Sequence, residues 1–472
     1  RRGRCLKMKK LEYLIDHLSK EFFDEAKSSP KMFEDLAAME TYMSESYDGR
    51  TFIELIQNAD DADSSKMLIT LVDDNLIVAN NGKPFNDNDI LSICRSGASK
   101  KERGKYIGYR GVGFKSSTTI SNEIIIYSDG ICFTFSKNRC ASILNTTVEK
   151  VPTIRIPFLY QIDSLDTNVL DKINELEEKG FQTIFIFKNA NVKKFKSEIS
   201  EFDSSWLIFL KNINQVKFDL SNNYNTYNIN KKIITNEKHI IKDLNTRNSW
   251  LILKHYDVGF AFKYDKETGI IPCSAEDAVF HCFLPTIDKT GFLFKINADF
   301  STDPSRKHII YDEKTQSLLE HAYELLIDYI KLSIKSNDRQ IYQIIKLLCK
   351  HTVYSKMAVA FDAGIKSILK QIAWIPTQES ILKDPQSILI NPKWMTLEEY
   401  EKVSQISTTF KSMLLNKDLY LQTYDLIDFI RTLGANEISY NEFYELISNV
   451  NFVSALDSKL CAKLFAYTVR NY

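Results

Sequence analysis

The 472-residue sequence has no apolar run near the roughly 20 residues that a helical membrane span needs. No N-terminal stretch shows the charged, apolar and small-residue order of a secretory signal. Cysteine is sparse and scattered, with eight residues (Cys5, Cys94, Cys132, Cys140, Cys273, Cys282, Cys349, Cys461) and no Cys-x-x-Cys pair. Zinc needs clustered ligands, so a structural zinc site is not expected. Thiols spread in this way read as reduced and buried, which points to a cytoplasmic setting. The seven histidines are equally dispersed, and no two stand at i, i+4. Net charge is missing too. Lys plus Arg and Asp plus Glu both number 61, so no global basic field draws the chain to nucleic acid or a membrane surface, although a local patch stays open.

What is present is ordinary globular composition, 44% hydrophobic and 26% charged, over a length that calls for two to four domains. Arg1–Lys7, ahead of Met8, reads as an appended remnant or the approach to an internal start. Helical spacing appears over Lys9–Lys27 and, more weakly, Lys31–Met43, and a third helix is expected from about Gly49. Lys66–Val72 and Asn75–Asn80 predict a β-hairpin around Asp73-Asp74. A short helix over Asn86–Cys94 follows, then a polar, basic, glycine-bearing loop over Arg95–Tyr109 with the character of a lid. Gly111–Thr119 reads as a helix, and Glu123–Ser128, Ile131–Ser136 and Thr153–Pro157 as strands. A charged helix over Leu165–Lys179 and a strand over Gln182–Phe187 complete an α/β pattern. The expected organisation is an α/β sandwich domain over residues 1–205, a second, mostly strand α/β domain over 206–312 and a mainly helical region over 313–472, broken by prolines at Trp374–Pro392.

Chemistry concentrates in four places. On a helix beginning near Gly49, Glu54, Asn58 and Asp61 stand at i, i+4 and i+7 and share one face, while Phe52, Ile53, Leu55, Ile56 and Ala59 cover the other sides. Two carboxylates and a carboxamide on a packed helix are costly unless a metal, a water or a ligand uses them; a solvated acidic turn is the plain alternative. Asn80-Asn81-Gly82 ends a strand in a turn where glycine lets backbone approach closely. Gly108-Tyr109-Arg110-Gly111-Val112-Gly113-Phe114-Lys115 leads into a helix whose N-terminal N–H groups suit phosphate. It lacks the strand and downstream acid of a dinucleotide fingerprint. Gly180-Phe181-Gln182-Thr183 places a glycine and a hydroxyl at a strand start.

Taken in order, Glu-x-x-x-Asn-x-x-Asp-Ala, Asn-x-Gly, G-x-x-G-V-G-F and G-x-x-T resemble the GHKL ATPase superfamily, which includes gyrase, the large heat-shock chaperones, histidine kinases and MutL. The wording of Glu54–Ala62, Ser92–Lys101 and Ile107–Ser116 is most similar to the sacsin-type ATPase modules. A looser similarity reaches Phe283–Thr286 and Ile296–Ile310.

The resemblance implies a Bergerat-type α/β sandwich. It casts Glu54 as the general base for a water attacking the γ-phosphate, and Asn58 as the Mg²⁺ ligand. Asp61 and Ala62 would line the sugar and base; Gly82, Gly108, Gly111, Val112, Gly113 and Phe114 would form the nucleotide-facing turns; Thr183 would support adenine. Asn80 stands where the family usually has Asp. It can accept from the adenine amine without the strength of a charged acceptor. Lys115, with Lys100 and Lys101 in the lid, could meet phosphate or be solvated loop lysines. Arg306 looks like the middle-domain arginine that reaches the γ-phosphate, with a plain surface arginine after a proline turn as the alternative.

The expected activity is therefore Mg²⁺-dependent ATP binding with slow hydrolysis that drives lid closure, docking of Arg306 and ATP-dependent homodimerisation, as in a chaperone-like or switch ATPase. The Lys9–Lys27 helix is a candidate for dimer exchange or for packing within one chain. The competing readings are a nucleotide-gated scaffold with little hydrolysis, and a DNA-processing or antiviral-defence ATPase subunit of MutL, MORC or restriction-associated type. A protein client or partner subunit is expected and not named by the sequence. His17, with no acidic residue after it, reads as a helix-surface residue rather than a phosphoacceptor.

Overall fold

A computed structural model describes residues 2–46, 49–95, 113–220, 223–245, 248–303, 305–336, 340–349, 355–406, 413–416 and 424–471. The chain is mixed α/β and divides into two compact units. The first holds residues 1–250 with His281–Thr286 and Thr302–Ile309; the second holds Leu251–Phe280, Ile287–Ser301 and Ile310–Tyr472.

In the first unit the order is α1 (Arg2–Ser28), α2 (Pro30–Ser46), α3 (Thr51–Asp61), β1 (Lys66–Val72), β2 (Asn75–Asn80), α4 (Asp87–Cys94), a 3₁₀ turn (Gly113–Thr119), β3 (Glu123–Ser128), β4 (Ile131–Ser136), α5 (Lys137–Leu144), β5 (Phe158–Leu159), α6 (Thr167–Glu178), β6 (Thr183–Phe187), α7 (Val192–Glu198), β7 (Gln215–Leu220), β8 (Asn223–Ile233) and β9 (Lys238–Asp243). The strands form a mixed sheet in the order β9-β8-β7-β1-β2-β6-β3-β4-β5, with β1 and β7 parallel. The expected hairpin is present, Val72 pairing with Asn75 and Met67 with Asn80.

Alternation along the strands assigns two faces. Ile77, Ala79, Ile125, Tyr127, Ile184 and Ile186 pack with Val169, Ile173 and Leu176 of α6 in one core. Each such apolar side chain contributes about 1.5–3 kcal/mol on burial. The intervening positions, Asn80, Ser128 and Thr183, fall on the opposite face together with Phe185. There the Phe185 ring lies 5.3 Å from Phe114 and 6.2 Å from Phe85, centre to centre.

Two local expectations differ from the structure. Gly113–Thr119 is a 3₁₀ turn and not an α-helix. Its Ser116, Ser117, Thr118 and Thr119 hydroxyls donate to the carbonyls of Gly113, Phe114, Lys115 and Ser116, three residues back, and so tighten the turn. Thr153–Pro157 is not a strand, because the Glu40 carboxylate of α2 takes the N–H groups of Thr153 (2.6 Å) and Ile154 (3.0 Å), and Pro152 and Pro157 have none to offer. The apolar stripe Leu11, Ile15, Leu18 and Phe22 of α1 is buried within the chain, and His17 lies exposed on the same helix, stacked on Tyr13.

The second unit carries the strands Val258–Asp265 and Lys295–Ala298, antiparallel to each other, with Gly269–Ile271 beside the first. Phe361, on the helix Lys356–Leu369, packs against Phe260, Phe292 and Phe294. Helices Glu313–Lys335 and Gln340–Cys349 precede it, and Gln343 accepts from Ile270 N–H and donates to the Thr268 carbonyl. Ile375–Pro376 and Leu382–Lys383 form a short hairpin inside the proline-broken segment. A last core gathers Tyr400, Val403, Phe443, Leu446, Leu460 and Leu464 from the helices that end the described chain. No helix among the described residues is long and apolar enough to cross a membrane.

Candidate functional site

Helix α3 is buried on nearly every side. Thr51 through Gln57, Ala59 and Asp60 are all buried, and only Asn58 and Asp61 are partly exposed. Its ends are held firmly. The Phe52 N–H donates to the Glu198 carboxylate at 2.9 Å, and Asp60 accepts the N–H groups of Lys211 (3.1 Å), Asn212 (2.7 Å) and Ile213 (2.9 Å). Adjacent acids thus differ completely in role: Asp60 anchors a distant loop while Asp61 stays at the open side of the helix.

Glu54 lies at the centre of the buried turn, 3% exposed, and its Oε1 accepts no hydrogen bond among the described residues. Arg306 Nε stands 3.5 Å from that oxygen, while Arg306 Nη1 donates to Gln57 Oε1 at 2.6 Å. Arg306 belongs to the same compact unit as Glu54. Its backbone adopts φ +54°, a left-handed conformation that a side chain bearing a Cβ disfavours. A second cation, Arg50, caps the start of α3 with its guanidinium buried. Burial pushes its pKa down to about 10, Glu54 opposing this and Arg306 adding to it.

Gly113 touches the other carboxylate oxygen. A Cβ built there would come 1.7 Å from Glu54 Oε2 and 2.3 Å from Glu54 Cδ, so the backbone approach requires glycine. Phe114 turns the opposite way, onto Phe185 of the sheet. Lys115 is buried, not a solvated loop lysine. Desolvation pushes its ammonium below the ordinary value, with Glu40 pulling it up and Arg155 pushing it further down.

The turn after β2 packs on the end of α3. Lys83 N–H donates to the Ala62 carbonyl at 2.7 Å, and a Cβ at Gly82 would meet that same oxygen at 2.7 Å. Lys83 and Asp63 are paired. Asn80, 5% exposed, accepts from Gly82 N–H at 3.0 Å through its side-chain oxygen. It sits opposite Thr183 across β2 and β6, and Thr183 shares a 3.0 Å hydroxyl contact with Ser128.

Asn81 secures this open end of the hairpin, its Oδ1 accepting from Ser64 Oγ, Ser65 N and Lys66 N. Glu54, Gly113 and Arg306 therefore meet directly; Asn58, Asp61 and Ala62 follow along α3; Asn80, Gly82 and Thr183 form a second group at the strand ends. Gly108, Gly111, Val112, Lys100, Lys101 and nearly all of the expected lid lie outside the described residues.

Sequence reasoning passed over Gln57, Arg50 and Asp60. Gln57 had a signal: three positions after Glu54, it borders the same helical face. Asp60 had none, since its N–H donors come from chain more than 150 residues away, and the burial of Arg50 beside Arg306 is equally long-range.

No family model matches the sequence. The chain is similar to Protein NO VEIN of Arabidopsis thaliana. The two are 25% identical over 319 residues, which cover 61% of this chain and 11% of that protein. The chain thus spans a small fraction of that relative's own length.

The residues present fit a nucleotide. Glu54 Oε1 accepts no hydrogen bond among the described residues and stands 3.5 Å from Arg306 Nε, while Oε2 meets a glycine approach that any Cβ would fill, on a helix open only at an amide and a carboxylate. Among the described residues no three His, Cys, Asp or Glu side chains cluster to hold a metal. Mg²⁺ keeps several waters and takes ligands from phosphates, so it does not require such a cluster.

Proposed function

We propose that this chain binds ATP with Mg²⁺ and hydrolyses it slowly, on a Bergerat-type α/β sandwich of the GHKL kind formed by the first unit. The observation that carries the reading is the Glu54 carboxylate. It is buried, one oxygen is free of hydrogen bonds among the described residues, and it is wedged between Arg306 and the Gly113 backbone. A surface acid has no such surroundings.

Hydrolysis needs a base to take the proton that water loses as its oxygen bonds to the terminal phosphorus and the bridging P–O bond breaks. Glu54 Oε1 is available to take it. Arg306, its charge held in a dry site, would stabilise the negative charge that grows on the phosphoryl oxygens. Asn58 would hold the metal, which offsets phosphate charge when bound. Asp61 and Ala62 would border the sugar and base, and Asn80 with Thr183 would meet the adenine edge. Asn80 spends part of its acceptor capacity on Gly82 N–H and keeps a lone pair for an amine. Lys115, buried beside the Gly113 turn, would lend positive charge toward phosphate.

Steady-state phosphate release with MgATP tests this. Glu54→Ala should abolish release while the Kd for ATP stays close to that of the unaltered protein. Phosphate release that is indifferent to the substitution removes Glu54 as the base; ATP binding by the unaltered protein without phosphate release leaves a nucleotide-gated scaffold.

A further inference from the structure

We propose that Gln57 is a positioning residue for Arg306, a role that rests on the ATPase reading above. Gln57 follows Glu54 by three residues, so one helical turn presents both side chains to the same guanidinium. Arg306 spans them: Nη1 donates to Gln57 Oε1 at 2.6 Å, and Nε faces Glu54 Oε1 at 3.5 Å. Gln57 is 1% exposed and Arg306 7%, so no water competes for the contact. An amide suits the task better than an acid. Its oxygen accepts a charge-assisted hydrogen bond and fixes the guanidinium plane without bringing a second negative charge beside Glu54.

The backbone end of the arginine is fixed too. Arg306 N–H donates to the Asp303 carbonyl at 3.0 Å, and the Asp303 carboxylate takes Ser305 Oγ (2.5 Å) and His308 N (3.2 Å). With φ at +54°, that turn aims the side chain from a conformation held by its surroundings. A long side chain anchored at both ends loses its rotamer freedom before the reaction begins rather than during it.

The test uses the full chain with MgATP. Gln57→Met keeps length and removes the acceptor. Turnover should fall about tenfold or more, the cost of losing a buried hydrogen bond to a charged group, while the Kd for ATP moves less than about twofold. The double variant with Arg306→Ala should be no slower than Arg306→Ala alone, because Gln57 acts through the arginine. Gln57→Asn, whose shorter side chain withdraws the oxygen, should show the same pattern and serves if Gln57→Met does not fold. Unchanged turnover in both Gln57 variants, or losses that multiply with that of Arg306→Ala, would overturn the proposal in favour of a packing role. If Glu54→Ala and Arg306→Ala themselves leave phosphate release untouched, the ATPase reading fails instead.

Discussion

Gly113→Ala is the sharpest perturbation available, because it adds a single methyl group where backbone meets the Glu54 carboxylate. The added carbon would lie 1.7 Å from Glu54 Oε2, 2.3 Å from Cδ and 3.0 Å from Cγ, whereas real contacts of this kind essentially never fall below 3.0 Å. More than an ångström of separation must be found. Glu54 has little room to give: it is 3% exposed, on a helix buried everywhere except at Asn58 and Asp61. Either the carboxylate rotates away from Arg306 or the 3₁₀ turn lifts off α3. Overpacking of this size costs about 1–3 kcal/mol of stability. Misplacing a reacting group by about 1 Å costs on the order of a hundredfold in rate. The expected outcome is a folded protein with a modestly lowered urea midpoint and turnover reduced about a hundredfold. Phosphate release is read alongside circular dichroism. Wild-type turnover in a folded Gly113→Ala protein would refute the view that this glycine and Glu54 share one site.

Two further outcomes separate framework from site. Asp60→Asn replaces a carboxylate that accepts three backbone N–H groups, at 2.7 to 3.1 Å, with an uncharged amide whose one oxygen can serve Asn212 and Ile213 while its NH₂ faces the Lys211 N–H, and should cost about 2–4 kcal/mol in urea unfolding while the folded fraction keeps its ATP affinity. Asp61→Asn should do the reverse, and equal effects on stability from both would contradict the assignment. Lys115→Met addresses a cation whose pKa burial pushes below 10.5. The folded chain gives up this proton before the unfolded chain does, so the ammonium opposes folding below its folded value and the penalty fades as pH rises from there to 10.5. Lys115→Met should therefore raise the urea midpoint at neutral pH, with the gap to wild type narrowing in alkaline buffer. A gap constant across pH would show that the effect is packing alone.

How far the sequence can be read depends on how far away each residue's partner lies. The β1–β2 hairpin, the short helix near Asn86–Cys94 and the helical spacing of α1 were legible because each is settled within a few residues. The 3₁₀ turn had a legible cause that helical spacing hid: four consecutive hydroxyl residues, Ser116–Thr119, compete for the backbone carbonyls. Pro152 and Pro157 likewise warned against a strand between them. Asp60 and Asp61 mark the limit. They are the same residue type, side by side at the end of one helix, and the spacing that sets Asp61 on the Glu54 face does not say what Asp60 holds. What separates them is chain 150 residues later that folds back to offer its N–H groups to Asp60 alone. The same holds for Arg306, which meets Gln57 across 249 positions. A helical face can show which side chains are able to converge; which of them are spent on the framework, and which are left over for a ligand, is decided by long-range closure. The Glu54 oxygen that this closure leaves without a hydrogen bond among the described residues is the physical ground on which the proposed chemistry is placed there.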